Sequence, residues 1–368
     1  MFYEKIIRPI LFLFPPETIH NLTFGILSVF NKSKTLNQIL FKICHFSSPK
    51  LKQKLFGLDF VNPIGLTEGL DKNGKLSVTW RAFNFAWANL GSVTAEAQSG
   101  NAKPRLWRLP KDKSLVVYYG LANQGVQKII NKLQQDKNKF PQHGIWSISI
   151  AKTNTVSLED AAEDYAKTFE IVKNVADIIT INLSCPNVKN FTGLQSPELL
   201  EPILAKITKL NIHQKPLWLK IGNELGAKQL DEIIALVKKY QINAVVATNL
   251  AKDKSKFKLQ SPDQDKPGGI SGLPIAQKAN QIISYLYKNS ENQYKIIGVG
   301  GVFSGKDAYA KIKAGANLVQ IGTGFIYGGP LIVKKINQEL DALLSRDNFN
   351  HINQAVGIEA DNYKLDND

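Results

Sequence analysis

Eight short apolar segments, each ending in a polar or glycine turn, constrain the fold of this 368-residue chain more than any other feature. They are Ile64–Leu66, Ala88–Leu90, Ile145–Ile150, Ile178–Asn182, Leu217–Ile221, Ala244–Ala247, Ile296–Val299 and Leu318–Ile321. Short apolar, β-branched runs bounded by turns read as parallel strands buried on both faces. Each is followed by a helix-length stretch or a loop. Eight βα units in series predict an α/β protein with a closed (β/α)8 barrel rather than an open sheet. The length suits a barrel with a small appendage, and 43% apolar residues is a globular composition. Three regions are expected: a helical segment over 1–45, the barrel over 46–346, and a polar, partly frayed tail over 347–368. Asp253–Pro267 reads as a charged, turn-rich loop after the sixth strand.

In such a barrel the C-terminal strand ends face the ligand. The fourth strand ends in Ile181-Asn-Leu-Ser-Cys-Pro-Asn187, which brings Asn182, Cys185 and Asn187 to that face together. The plainer alternative is a strand-to-loop turn with a buried cysteine. Gly298-Val-Gly-Gly301 follows the seventh strand and Gly322-Thr-Gly324 the eighth. Barrels hold phosphates on backbone N–H groups of these two loops, and Thr323 adds a hydroxyl. Two tight turns needing positive φ are the competing reading. Lys72, after the first strand, and Lys220, ending the fifth, add cations at the mouth. Thr248-Asn249 ends the sixth strand, and Gly268–Gly272 reads as a further loop that lets backbone approach a ligand.

Net charge is +15. Such a balance draws phosphorylated ligands, anionic lipid or nucleic acid. No nucleic-acid module is recognisable, so no nucleic-acid partner is expected. Many lysines belong to solvated helix faces: Lys128, Lys132 and Lys139 flank an apolar stripe of Val126, Ile129, Ile130 and Leu133. Two cysteines, Cys44 and Cys185, imply no disulfide framework, and the five histidines show no metal-ligand spacing, so no metal is expected. The N-terminus is rich in Ile, Leu and Phe, broken by Pro15-Pro16, with Lys5 and Arg8 near its start. It is too short and interrupted to span a bilayer and lacks a signal-peptide cleavage pattern. Two short amphipathic helices there suit either a membrane surface or a cap on the barrel.

The chain resembles the flavin-dependent dihydroorotate dehydrogenases of the membrane-associated, quinone-reducing class (class 2) over nearly its whole length. The resemblance rests on Asn62-Pro-Ile-Gly-Leu66, Gly69-Leu-Asp-Lys72, Lys103-Pro-Arg-Leu-Trp-Arg-Leu109, Ile181–Asn187, Ala247-Thr-Asn249, Gly268–Pro274 and Ile297–Gly301. It implies FMN held by Gly69, Lys72, Ser92, Asn182 and Lys220 on one side. Thr248, Gly272, Gly301, Gly322 and Thr323 would hold it on the other. Glu68, Leu70, Asp71 and Ser149 fall at neighbouring cofactor positions. Lys72, Asn182, Asn187 and Asn249 would meet a dihydropyrimidine substrate, since carboxamides pair with ring imide groups. Cys185 falls at the catalytic base, taking a proton from C5 while hydride leaves C6 for the flavin, with Lys72 beside it. Arg108 falls at a quinone-tunnel arginine. The N-terminal helices resemble the family's quinone-access domain, which implies peripheral association with the cytoplasmic membrane and a role in pyrimidine biosynthesis.

The departures cluster. Quinone-class relatives carry serine where Cys185 stands. The family's substrate loop aligns with Val117-Tyr-Tyr-Gly-Leu-Ala-Asn123, so its substrate-binding asparagine becomes Val117 and its phenylalanine Leu121. Leu250 replaces a hydroxyl residue, Ser149 an asparagine, and Glu68 an alanine. The resemblance thus implies oxidation of dihydroorotate to orotate with a quinone as acceptor. A paralogue acting through FMN on a less polar cyclic substrate, and a flavin-binding protein without turnover, are the alternatives.

Overall fold

The computed structural model describes residues 2–184 and 191–365. All eight expected segments are strands, and they close in sequence order into a parallel barrel with helices between them. Three boundaries move: the second strand extends to Trp87–Val93, the fifth stops at Lys220, and the seventh begins at Lys295.

Side chains alternate across each strand, so residues two apart share a face. Ile179, Ile181, Val245, Ile296, Val319 and Ile321 point outward into one large core that they share with the surrounding helices. Trp87, Ile178, Trp218, Val246, Ile297 and Leu318 form a second apolar cluster inside the barrel. Trp87 and Trp218 meet edge to face at 5.9 Å. A Cβ on Gly65 would lie 2.1 Å from the Trp87 ring, so glycine is required on the first strand for that indole to fit.

Four features go beyond the eight-strand pattern. An antiparallel hairpin, Gln53–Leu55 with Leu58–Phe60, packs Phe60 and Phe56 onto the barrel tryptophans. Its two turn residues, Phe56 and Gly57, both have positive φ, as a tight two-residue hairpin demands. A second antiparallel sheet joins Leu106–Leu109, Ser114–Val117 and Gly269–Gly272. The Gly268–Gly272 stretch, expected as a loop, is therefore largely a strand; Gly268 (φ +116) admits the close approach to the Val117 carbonyl, which a Cβ would meet at 2.2 Å. The third helix of the N-terminal region, Lys34–Cys44, starts at Ser33, whose Oγ accepts Leu36 N at 3.3 Å. The tail is packed rather than frayed through Ala360: Ile352 and Ala355 are fully buried, and Gly357 and Glu359 donate to the carbonyls of Ile312 and Lys313.

Helix Val126–Lys139 buries the expected stripe. Lys128 and Lys139 are solvated, but Lys132 is half-buried and pairs with Asp136 and Ser77. Cys44 is buried, which raises its thiol pKa to about 11.

The N-terminal segment bends by 120° between Tyr3–Phe12 and Pro16–Lys32, and no single described helix is long and apolar enough to cross a membrane. It is tied to the barrel at several points. Tyr3 Oη donates to Ile326 O at 2.8 Å and Arg8 Nη1 to Tyr327 O at 3.1 Å. Glu17 pairs with the buried Arg105 at 2.5 Å. Its outer face exposes Ile10, Leu13, Leu22, Ile26, Val29, Ile39 and Ile43.

Candidate active site

The inward register that builds the apolar cluster continues upward into polar residues. Ile178 is followed in phase by Thr180 and Asn182, Trp218 by Lys220, Val246 by Thr248, and Leu318 by Gln320. These polar layers stand at the C-terminal strand ends, beneath a cavity of about 500 Å³. The cavity is continuous from the strand ends to the N-terminal helices, where Leu11, Phe12, Ile19 and Phe24 form its far wall.

Most of the residues singled out in the sequence line this one cavity: Glu68, Gly69, Leu70, Lys72, Ser92 and Arg108 from the first half of the chain, then Asn182, Lys220, Thr248, Asn249, Gly272, Gly301, Gly322 and Thr323. Cys185 and Asn187 lie outside the described residues. Two expected cofactor residues do not reach the cavity. Asp71 organises the loop instead: its Oδ1 accepts Lys75 N at 2.7 Å, and its Oδ2 accepts Leu76 N at 2.8 Å and Trp80 Nε1 at 2.9 Å. Ser149 stands behind Ser92, their hydroxyls 2.7 Å apart.

Hydrogen bonds order the carboxamides. Asn182 Nδ2 donates to Ser92 Oγ at 2.8 Å, and its Oδ1 accepts Ser184 N at 3.2 Å. Asn249 Nδ2 donates to Ser184 O at 2.5 Å and lies 3.4 Å from Asn182 Oδ1. Asn223 Nδ2 donates to Thr248 Oγ1 at 2.7 Å. These bonds fix which amide edge faces the cavity. Lys72 Nζ donates to Gly69 O at 2.6 Å and sits over the Tyr119 ring. Arg108 donates to Phe14 O at 2.7 Å and lies over the Phe12 ring, and burial lowers its pKa. His20, on the helical wall, has its pKa lowered to about 3 by burial first and then by the charges of Lys72 and Lys75.

The glycine turns let the chain pack closely on itself at the cavity edge. A Cβ on Gly272 would lie 2.3 Å from Lys113 O, one on Gly301 2.4 Å from the Ala276 Cβ, and one on Gly324 2.0 Å from Val302 O. Thr323 Oγ1 and Ser271 Oγ are 2.7 Å apart at the cavity rim. Gln320 was missed from the sequence. It lines the cavity, is fully buried, and neither atom of its amide has a hydrogen-bond partner among the described residues. A lone glutamine in the apolar run Leu318–Ile321 is the signal that would have found it. Tyr119 and His20 were also missed, and no local pattern marks them.

A closed parallel barrel that presents lysines, ordered carboxamides and glycine turns to one deep cavity defines a (β/α)8 enzyme. Residues 50–344 match the family model described as dihydroorotate dehydrogenase, and the chain belongs to that family. It is 37% identical over 369 residues to the dihydroorotate dehydrogenase (quinone) of Nostoc punctiforme, covering 97% of this chain and 98% of the relative. It is 39% identical over 319 residues to the protein of that name from Synechocystis sp., covering 85% and 84%. Among solved structures, DHODH from Eimeria tenella in complex with ferulenol superposes with a TM-score of 0.86 at 24% identity, over 94% of this chain and 96% of that one. The ligand-free type of DHODH from the same organism gives 0.79 at 25% identity, over 88% and 98%.

Proposed function

We propose that this protein oxidises dihydroorotate to orotate on FMN and passes the electrons to a quinone at a membrane surface. The observation that carries this reading is the single cavity that joins the polar strand ends to the apolar walls of the N-terminal helices.

The residues fit a flavin. The amide of Gln320, without a partner among the described residues, offers a donor and an acceptor at the cavity floor, and Gly272, Gly301 and Gly324 line the cavity where backbone N–H groups would meet a phosphate. FMN would be held by Ser92, Asn182, Lys220 and Thr248 with Gly69, Leu70 and Lys72, and by Gly301, Gly322 and Thr323 at its phosphate end. When bound, it supplies the two-electron acceptor for the reaction.

The chain's own part is to bind, orient and move a proton. Lys72 places a cation where the substrate enters. Asn182 and Asn249, locked by Ser92 and Ser184, present amide edges complementary to a pyrimidinedione, and the family resemblance would add Asn187 as a third. Cys185 follows Ser184 directly and takes the C5 proton onto its Sγ. A thiol of ordinary pKa about 8.5 serves as a base with modest help from its surroundings. Arg108, backed by the Phe12 and Phe14 carbonyls, would face the quinone. The exposed apolar face from Ile10 to Ile43, on a strongly basic chain, supports peripheral attachment to the cytoplasmic membrane.

One observation favours a second reading. Val117, Leu121 and Leu250 all line the cavity. A substrate group with no partner on an apolar wall loses about 1–3 kcal/mol, more if charged, so a less polar cyclic substrate fits that wall better. Anaerobic mixing of the FMN-loaded protein with dihydroorotate decides. Bleaching of the flavin absorbance supports dihydroorotate oxidation. Intact FMN that millimolar dihydroorotate leaves oxidised selects the second reading, and a panel of dihydropyrimidines then finds the substrate. A protein that takes up no FMN overturns both.

A further inference from the structure

The cavity floor holds a carboxylate against its lysine. Glu68 Oε1 lies 2.5 Å from Lys220 Nζ, with side chains 5% and 4% exposed. Glu68 Oε2 accepts Asn89 Nδ2 at 2.9 Å and Thr67 Oγ1 at 3.1 Å, and Lys220 Nζ donates to Thr67 Oγ1 at 3.3 Å. Both side chains line the cavity. The pair is the most deeply buried among the described residues; Arg105–Glu17 follows at 11% and 15%.

Stability gives no reason for a carboxylate here. Burying two charges carries a desolvation cost, and apolar replacement of such a pair is often neutral or stabilising. What the pair does change is the field inside the cavity, where little water screens it. A lone Lys220 would present a full positive charge to whatever the floor binds. Paired with Glu68 it presents a dipole with no net charge.

We propose that Glu68 sets the reduction potential of the bound flavin by cancelling the charge of Lys220. The inference rests on the FMN reading above. Reduction adds negative charge to the ligand, so a bare ammonium beside it favours the reduced form. Glu68 removes that bias, lowers the potential and makes the reduced protein a stronger donor to its acceptor. Glu68 acts through Lys220 and is a positioning residue; the bonds to Asn89 and Thr67 hold its carboxylate in place for that task.

The test is the midpoint potential of the FMN-loaded protein, measured by anaerobic equilibration with reference dyes. Glu68→Gln keeps the size of the side chain and removes its charge. It should raise the reduced-to-oxidised ratio at fixed poise at least tenfold, a shift of about +30 mV for a two-electron couple. Lys220→Met should shift the ratio the opposite way, and the double variant should return to within about threefold of the unmodified protein. A Glu68→Gln protein that holds FMN at an unchanged or lowered potential would overturn the proposal. So would loss of FMN from both Glu68→Gln and Glu68→Asp, because Glu68 would then be a residue that holds the cofactor. If the unmodified protein itself takes up no FMN, the flavin reading fails and this proposal with it.

Discussion

The Lys72 ammonium stands 3.7 Å from the centre of the Tyr119 ring, while the Arg105 guanidinium lies 4.9 Å from the same ring. Tyr119 thus links Lys72, in the cavity wall, to the arginine that anchors the N-terminal helix through Glu17. A cation over an aromatic face is worth about 0.5–1 kcal/mol when exposed and about 2 when desolvated. Tyr119→Leu should therefore raise KM for dihydroorotate roughly three- to tenfold with a smaller change in kcat, and Tyr119→Phe should stay close to the unmodified enzyme. Steady-state kinetics of the two variants checks this.

Cys185→Ser tests the base. A serine hydroxyl is a far weaker acid than a thiol, so the variant should reduce its flavin more slowly at neutral pH and regain rate as pH rises. Stopped-flow flavin reduction from pH 6 to pH 10 reads both effects. An unchanged rate and profile would remove Cys185 from that role.

His20 ties stability to acid. Its folded pKa, about 3, lies below the ordinary value of 6.5. Above pH 6.5 the imidazole is neutral in both states and contributes no slope. Between 6.5 and 3 the unfolded chain binds a proton that the folded chain refuses, so stability falls as pH drops. From pH 7 to pH 5 that loss is about 2 kcal/mol. His20→Gln should abolish it, which urea unfolding of both proteins at the two pH values would reveal.

The apolar outer face can be tested without touching the cavity. Leu13 is 82% exposed and Ile10 55%, so replacing both with Asp leaves packing intact. Burying a large aliphatic side chain is worth about 1.5–3 kcal/mol. The double variant should therefore bind anionic vesicles at least tenfold more weakly in a sedimentation assay, with anaerobic flavin reduction unchanged. Undiminished binding would place the contact elsewhere.

The barrel was legible because period-2 burial writes itself into each strand: Ile178-Ile-Thr-Ile-Asn182 and Leu217-Trp-Leu-Lys220 carry both their faces and their functional ends in one short run. The cavity was legible wherever a polar residue interrupts such a run, and at the paired glycine turns. The Gln53–Phe60 hairpin escaped because its short strands, Gln53-Lys-Leu55 and Leu58-Asp-Phe60, each carry a central charge and so form no apolar run. The Leu106–Gly272 sheet escaped for another reason. Its third member, Gly269–Gly272, lies some 150 residues beyond the strand Ser114–Val117 that it pairs with and has the composition of a turn. Asp71 was misplaced because a carboxylate in a glycine-rich loop looks the same whether it meets a ligand or three donors of its own chain. The Glu68–Lys220 contact joins the ends of the first and fifth strands, which face each other across the mouth only once the barrel has closed.

The bond from Tyr3 to Ile326 joins residues 323 positions apart. At about 5–20 residues per second, roughly 15 to 65 seconds of synthesis separate Tyr3 from the helix Thr323–Gly328 that it rests against. Through that interval Arg105 and Arg108 come within reach of the N-terminal segment, but Tyr3 and Arg8 still lack their acceptors on Ile326 and Tyr327. The cavity therefore gains its complete helical wall only after the eighth strand and the helix that follows it have been made.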